Sequence, residues 1–275
     1  MAMIKFVFTL LLLLPVAGFA KDTSNGTAKS SGPGVSPTAF SDETMRYVEA
    51  NVLATFYHEV GHALIDKLRL PIYAREEDAA DYFAIVLTEY LHRPDKSELI
   101  AWATADQYLQ LNQKYKNYEP WYAGVHSLDL VRFYNTICLY YGGDVDMRDD
   151  FAHENGLPEY RMETCEEERK MAERAWMGVI ESIERAEEGS DWLIIDEYAS
   201  SNNRYVLASH KVIEDAVHLL NSRFAMNSKI RVRMTECNED NAFYEPHGSK
   251  ILMCNELVPP LSRRIDNILA PQPDD

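Results

Sequence analysis

Positive charge is scarce in this chain of 275 residues: 27 Lys and Arg stand against 44 Asp and Glu, a formal net charge of −17. A deficit of that size argues against nucleic acid and against anionic lipid as partners, since both are held by clustered cations. It keeps the surface solvated and says nothing about fold. Long apolar runs are also missing after residue 20, so no later stretch reads as a membrane span. Cysteine is sparse, with 4 in the chain. None of the spacings matches a cysteine zinc site, and Lys21 stands where a lipid-anchored protein would need a cysteine. No internal repeat is visible.

What is present begins with residues 1–20, which read as a secretory signal peptide. Lys5 supplies the charged start, Phe6 to Val16 the apolar core, and Gly18-x-Ala20 the small-residue cleavage pattern. The apolar run is short for a spanning helix. The expectation is therefore an exported chain, periplasmic or secreted, with no stable membrane insertion after cleavage behind Ala20. Losing Lys5 makes the mature chain one charge more negative. Residues 21–40 are rich in Ser, Thr, Gly and Pro and read as a flexible tail. Ser41 or Asp42 could cap the first helix of a single domain over 41–270. About 230 residues are enough for a two-lobed domain with its own core. In an exported chain, four cysteines suggest two disulfides. Of three pairings, Cys138 with Cys165 and Cys237 with Cys254 are preferred, because each pair is local and its partners fall at element ends. Buried free thiols are the alternative.

The chemistry is concentrated in HEVGH, residues 58–62, inside the apolar helix-like run Tyr47 to Leu70. His58 and His62 are four apart, so a helix puts both imidazoles on one face, about 6 Å apart along the axis. Both rings can then reach one zinc ion at about 2.0–2.1 Å. Glu59 lies about 100° round the helix, placed to act as the base. The bland alternative is a surface helix with solvated histidines. The apolar neighbours Val52, Leu53, Phe56, Ala63, Leu64 and Ile65 weigh against it. Leu70-Pro71 closes this helix, and a short turn makes the next one an antiparallel neighbour. That helix opens with Arg75-Glu76-Glu77-Asp78-Ala79-Ala80-Asp81 and keeps a 3.6 period through Phe83, Val86, Leu87, Tyr90 and Leu91. Glu77 reads as the third metal ligand. Asp81, four residues on, would accept the outer N–H of a ligand histidine. Charges complementing the helix macrodipole account for Glu76 and Asp78, but not for Asp81.

His-Glu-x-x-His followed by Glu-x-x-Ala-Asp resembles the gluzincin branch of zinc peptidases. More closely, the chain resembles a bacterial exported family of unknown function labelled "putative metallopeptidase". The segments that carry the likeness are FYHEVGHALID (56–66), REEDAAD (75–81), HSLDLVRFYNTICLYYG (126–142) and NAFYEPHGSKILMCNEL (241–257). The resemblance implies a zincin-like fold, peptide-bond hydrolysis and a peptide or protein substrate. Asn241-Ala242-Phe243-Tyr244 is similar to the substrate-lining edge strand of thermolysin-type peptidases, where the Asn side chain and the Ala backbone hold the substrate. In those enzymes the strand precedes the zinc helix, whereas here it follows. Either the topology is permuted or this is a plain hairpin strand.

Helices are expected at 97–118, 128–141, 166–186 and 209–224. Strands are expected at 192–195, 230–234, 242–245 and 251–254. The class is α+β: a helical zinc core with a small mixed or antiparallel sheet. A donor for the oxyanion is sought in His126, oriented by Asp129, or in Arg132 or Tyr134; a helix cap at Asp129 and an ordinary ion pair at Arg132 are the alternatives. His92, His153, His210, His218 and His247 lack ligand spacing. The reading is a zinc metallopeptidase with Glu59 as general base. Its rivals are a zinc hydrolase of another amide, such as a cell-wall crosslink, and an exported zinc-binding scaffold without catalysis. Retention of Glu59 weighs against the scaffold, because structural zinc sites close with four protein ligands and need no base.

Overall fold

The structure is a computed structural model in which residues 37–115, 122–184 and 191–270 are described. The expected signal peptide and most of the expected tail lie outside those residues. Among the described residues, no helix is long and apolar enough to cross a membrane.

Helix α1 (Pro37–Leu68) organises the domain. Its residues Tyr47, Val48, Val52, Phe56, Tyr57, Val60 and Leu64 are buried, so apolar side chains leave it on several faces. A helix that is apolar all round belongs inside a core. It packs against α2 (Glu76–Leu91), α3 (Pro94–Tyr115), α7 (Arg204–Arg223) and α8 (Val258–Leu269). The helix opens at Pro37, before the expected cap at Ser41-Asp42. It closes through Arg69, in the left-handed region at φ 52, and Leu70 N–H reaches back to the Ile65 carbonyl at 3.0 Å.

A second apolar cluster lies between α3, α4 (Asp129–Gly142), α5 (Asp149–Glu154) and α6 (Glu159–Ile183). The disulfide Cys138–Cys165 lies within it, and Cys237–Cys254 ties the loop before β3 to the end of β4. The expected pairing is therefore the one found. Cys138 and Cys165 sit within α4 and α6, however, and not at element ends.

Four strands form one mixed sheet: β1 (Leu193–Tyr198), β2 (Ile230–Thr235), β3 (Ala242–Glu245) and β4 (Lys250–Cys254), in the order β1-β2-β4-β3. The first three in that order run parallel, and β3 runs antiparallel to β4 at the edge. β2 follows its alternating sequence, with Ile230, Val232 and Met234 buried and Arg231 exposed. β3 packs against α1, and this places the sheet edge beside the helical core. The class is α+β, as the sequence indicates. Two helices, α5 and α8, have no counterpart among the expected elements. α5 spans 6 residues, too few to show a period, and α8 carries prolines in its first turn.

Candidate metal centre

α1 brings His58, Glu59 and His62, and α2 brings Glu77 and Asp81. The two helices meet closely because Gly61 faces Ala80. A Cβ on Gly61 would lie 3.2 Å from Ala80 Cα and 3.0 Å from Phe83 Cδ1. Pairing runs in opposite directions, His58 beside Asp81 and His62 beside Glu76, so the helices are antiparallel.

The donor atoms form a nearly regular triangle. His58 Nε2 and His62 Nε2 are 3.1 Å apart, and Glu77 Oε2 lies 3.2 Å from each. A tetrahedral ion with bonds of about 2.0–2.1 Å needs donor separations of about 3.3 Å. The three residues therefore fit a metal as they stand. They make up the metal-capable cluster found among the described residues.

The donors and their neighbours are strongly coupled electrostatically. Burial works against a charge on His58, but contacts with Asp81 and Glu77 outweigh it and push the imidazole up to about 10. His62 is also raised: burial opposes its charge, and Glu77 and Glu76 more than offset that. Glu77 is held well below the usual carboxylate range, despite burial, by His126, His58 and His62. Asp81 is depressed too, despite burial, by Arg132 and His58. Glu59 goes the other way. Burial raises its carboxyl, while the two imidazoles and the backbone N–H of Tyr244 pull it back. Metal binding at this site would release the imidazole protons, since only neutral rings coordinate.

A surrounding layer fixes the donors. His58 Nδ1 lies 2.8 Å from Asp81 Oδ1. Asp81 accepts from Arg132 Nε and Nη2 at 2.8 Å each and from the Tyr108 hydroxyl at 2.9 Å. The Arg132 guanidinium also lies over the Tyr108 ring, 4.1 Å from its centroid. Both of its donors to Asp81 are thus committed, the ion-pair alternative to a substrate contact. His62 Nδ1 lies 2.8 Å from Glu76 Oε1. On sequence alone Glu76 has only a macrodipole role. Its one available cue was a carboxylate beside a ligand on the same first turn.

His126 Nε2 lies 2.9 Å from Glu77 Oε2, outside the donor triangle and half exposed to the cleft. The segment that carries it is pinned to α2. Arg75 Nη1 donates to the Gly124 carbonyl at 2.9 Å and also to that of His126. Ser127 Oγ donates to Asp78 Oδ2 at 2.8 Å. Asp129 opens α4, and burial raises its carboxyl. Tyr134 packs against Phe133 and is not among the residues that line the cleft.

The cleft has a volume of about 930 Å³, and His58, Glu59, His62, Glu77, His126, Asn241 and Ala242 all line it. Asn241 and Ala242 thus share one cleft with the donors, although about 180 residues separate them in the chain. The ladder shows which backbone groups are open. Cys254 N–H donates to the Asn241 carbonyl at 3.2 Å, so Asn241 and then Phe243 and Glu245 face β4. Ala242 and Tyr244 present their backbone outward. Tyr244 N–H meets Glu59, and Ala242 N–H is bonded to Asn241 Oδ1 at 3.0 Å. The Tyr244 hydroxyl donates to Asp66 of α1 at 2.6 Å, which fastens the strand to the helix.

Neither curated proteins nor solved structures gave a match to this chain. One family matches residues 20–180 and 196–268, a span that takes in the donor triangle, Glu59 and the β3 edge. On that coverage the chain belongs to the family described as "Putative metallopeptidase".

Proposed function

We propose that this protein is a zinc-dependent peptidase of gluzincin type, with a zincin-like fold. The observation that carries the reading is the donor triangle of His58, His62 and Glu77 with the buried carboxylate of Glu59 beside it. Two imidazoles and one carboxylate, with a fourth position open to a cleft, are the donor set of a catalytic zinc site. A zinc ion held by His58, His62 and Glu77 would supply Lewis acidity for activating water and polarising a carbonyl.

The chain's own residues do the rest. A peptide lies extended beside Ala242, whose outward carbonyl accepts a substrate main-chain N–H, while its own N–H stays bonded to Asn241 Oδ1. Asn241 offers a donor and an acceptor to the same backbone. Glu59 takes the proton of the attacking water and returns it to the leaving amine nitrogen. Burial suits it to that exchange by raising its carboxyl toward neutrality. His126, at the open side of Glu77, is the donor placed for the oxyanion. Arg132 acts through Asp81 and His58 as a positioning residue. The two disulfides suit an oxidising compartment, and with the signal-like residues 1–20 they support export to the periplasm or beyond.

The test compares wild type with Glu59→Gln on unstructured peptides, with metal content measured in parallel. The variant should keep its metal and fold and lose about 10²-fold or more in turnover. Equal cleavage by the two proteins would contradict the assignment of Glu59.

A further inference from the structure

Between α3 and α4, residues 122–127 have little of their own to hold them in place. Among the described residues, none of them makes a hydrogen bond from main chain to main chain. The chain turns and bends here, and Tyr122 and Val125 are exposed. Exposed segments without such bonds sit at the loose end of a fold's local stability. Yet this one carries His126, the group that the proposed reaction needs at a fixed place beside the metal donors.

Side chains at the start of α2 fix it. Arg75 stands immediately before that helix and reaches the main chain of the segment. Its Nη1 carries two N–H groups and donates to two carbonyls, that of Gly124 at 2.9 Å and that of His126. The other two contacts hold side chains. Ser127 Oγ donates to Asp78 Oδ2 at 2.8 Å, and His126 Nε2 lies 2.9 Å from Glu77 Oε2. Rotation about side-chain bonds lets the main chain shift under contacts of that kind. A grip on two carbonyls does not. Glu77 is itself a corner of the donor triangle. The place of His126 is therefore set from the same turn of helix that supplies a metal donor.

We infer that Arg75 is a positioning residue of the proposed reaction. It holds the carbonyls of Gly124 and His126, and so sets where the His126 imidazole meets the oxyanion. This rests on the peptidase reading with His126 as donor, so the test carries a readout that needs neither metal nor turnover. Arg75 is exposed, and Arg75→Met should leave the fold intact. In metal-free full-length protein, backbone amide relaxation by NMR should give residues 123–127 order parameters of about 0.85 in wild type and below about 0.6 in Arg75→Met. Arg75→Lys keeps a charged donor without the planar fork and should fall between. With zinc bound, Arg75→Met should lower kcat by about 10–100-fold, the scale of a displaced catalytic group. KM should stay within about twofold, because Asn241 and Ala242 hold the substrate from β3.

A double-mutant cycle separates positioning from a general loss of structure. In the His126→Ala background, Arg75→Met should cost less than about twofold in kcat, because the group it positions is gone. A comparable cost in both backgrounds overturns the inference, as does a segment that stays rigid in Arg75→Met. Should Arg75→Met fail to fold, Arg75→Lys carries the same predictions at smaller size, and wild-type order with wild-type kcat in that variant counts against the inference. Loosening of the segment in a protein that cleaves no peptide upholds the clasp on His126 and removes the peptidase reading alone. Glu59-dependent cleavage with kcat unchanged in Arg75→Met does the reverse.

Discussion

Replacing Asp81 with alanine separates the two jobs this carboxylate performs. Asp81 accepts two bonds from Arg132 at 2.8 Å each, one from Tyr108 at 2.9 Å, and faces His58 Nδ1 at 2.8 Å. Both side chains of the Asp81–Arg132 pair are nearly enclosed, at 12% and 10% exposure. Asp81→Ala leaves the guanidinium buried without its anion, which costs about 3–5 kcal/mol. In a domain of this size each kcal/mol moves the melting temperature by about 2–4 °C, so the drop should be about 6–20 °C. Zinc affinity should fall by about 10–100-fold, because His58 loses the group that fixes its ring. Asp81→Ala combined with Arg132→Met removes both charges and should recover part of the stability, since the orphaned cation is gone. It should not recover the affinity. The assays are thermal melts in chelator and zinc competition against a chromophoric chelator. A single variant that melts within about 2 °C of wild type, under about 1 kcal/mol, would refute the reasoning about the buried pair. Full affinity in the double variant would show that Asp81 acts through the fold and not on His58.

Two other outcomes follow from the same geometry. His58 is pushed up to about 10 in the folded metal-free protein, against about 6.5 unfolded. Its stabilising contribution is complete below about pH 6.5 and is lost as pH rises toward 10, while those of Asp81 and Glu77, whose values are depressed, are present above about pH 4 and lost below it. Metal-free protein should therefore melt highest between about pH 4.5 and 6.5, and added zinc should raise the melting temperature more at pH 8 than at pH 6, because imidazole protons must leave; a flat metal-free profile from pH 6.5 to 9.5 contradicts this. The Cys237–Cys254 bridge spans a sequence separation of 17, which in the chain-entropy account is worth about 3 kcal/mol. Replacing both cysteines with serine should lower the melting temperature and speed amide exchange over Ala242–Glu245, and unchanged exchange there would show that the bridge does not hold the edge.

The parts of the site that could be read from the sequence lie within single helices. His58 and His62, and then Glu77 and Asp81, are fixed relative to each other by a four-residue step. The long apolar stretch around the first pair made α1 a buried helix, and the alternation of Ile230 to Met234 made β2 a half-buried strand. What could not be read depends on how elements meet. Glu76 reaches His62 and His126 reaches Glu77 only because Gly61 lets α2 close on α1 and Arg75 pins the segment before α4. Arg132 reads as a candidate oxyanion donor because nothing in the sequence places it beside Asp81. The parallel pairing of β1, β2 and β4 is set by packing against α7 and α1, and no local pattern specifies it. The helices expected at 166–186 and 209–224 start later than α6 and α7, which begin at Glu159 and Arg204.

The measurement that bears most directly on the whole account is the zinc content of purified protein, by elemental mass spectrometry, in wild type and in Glu59→Gln, His62→Ala and Glu77→Ala. Wild type and Glu59→Gln should each carry about one zinc per chain, and the two ligand variants should lose most of it. Full zinc retention in His62→Ala would contradict the donor triangle and the function built on it.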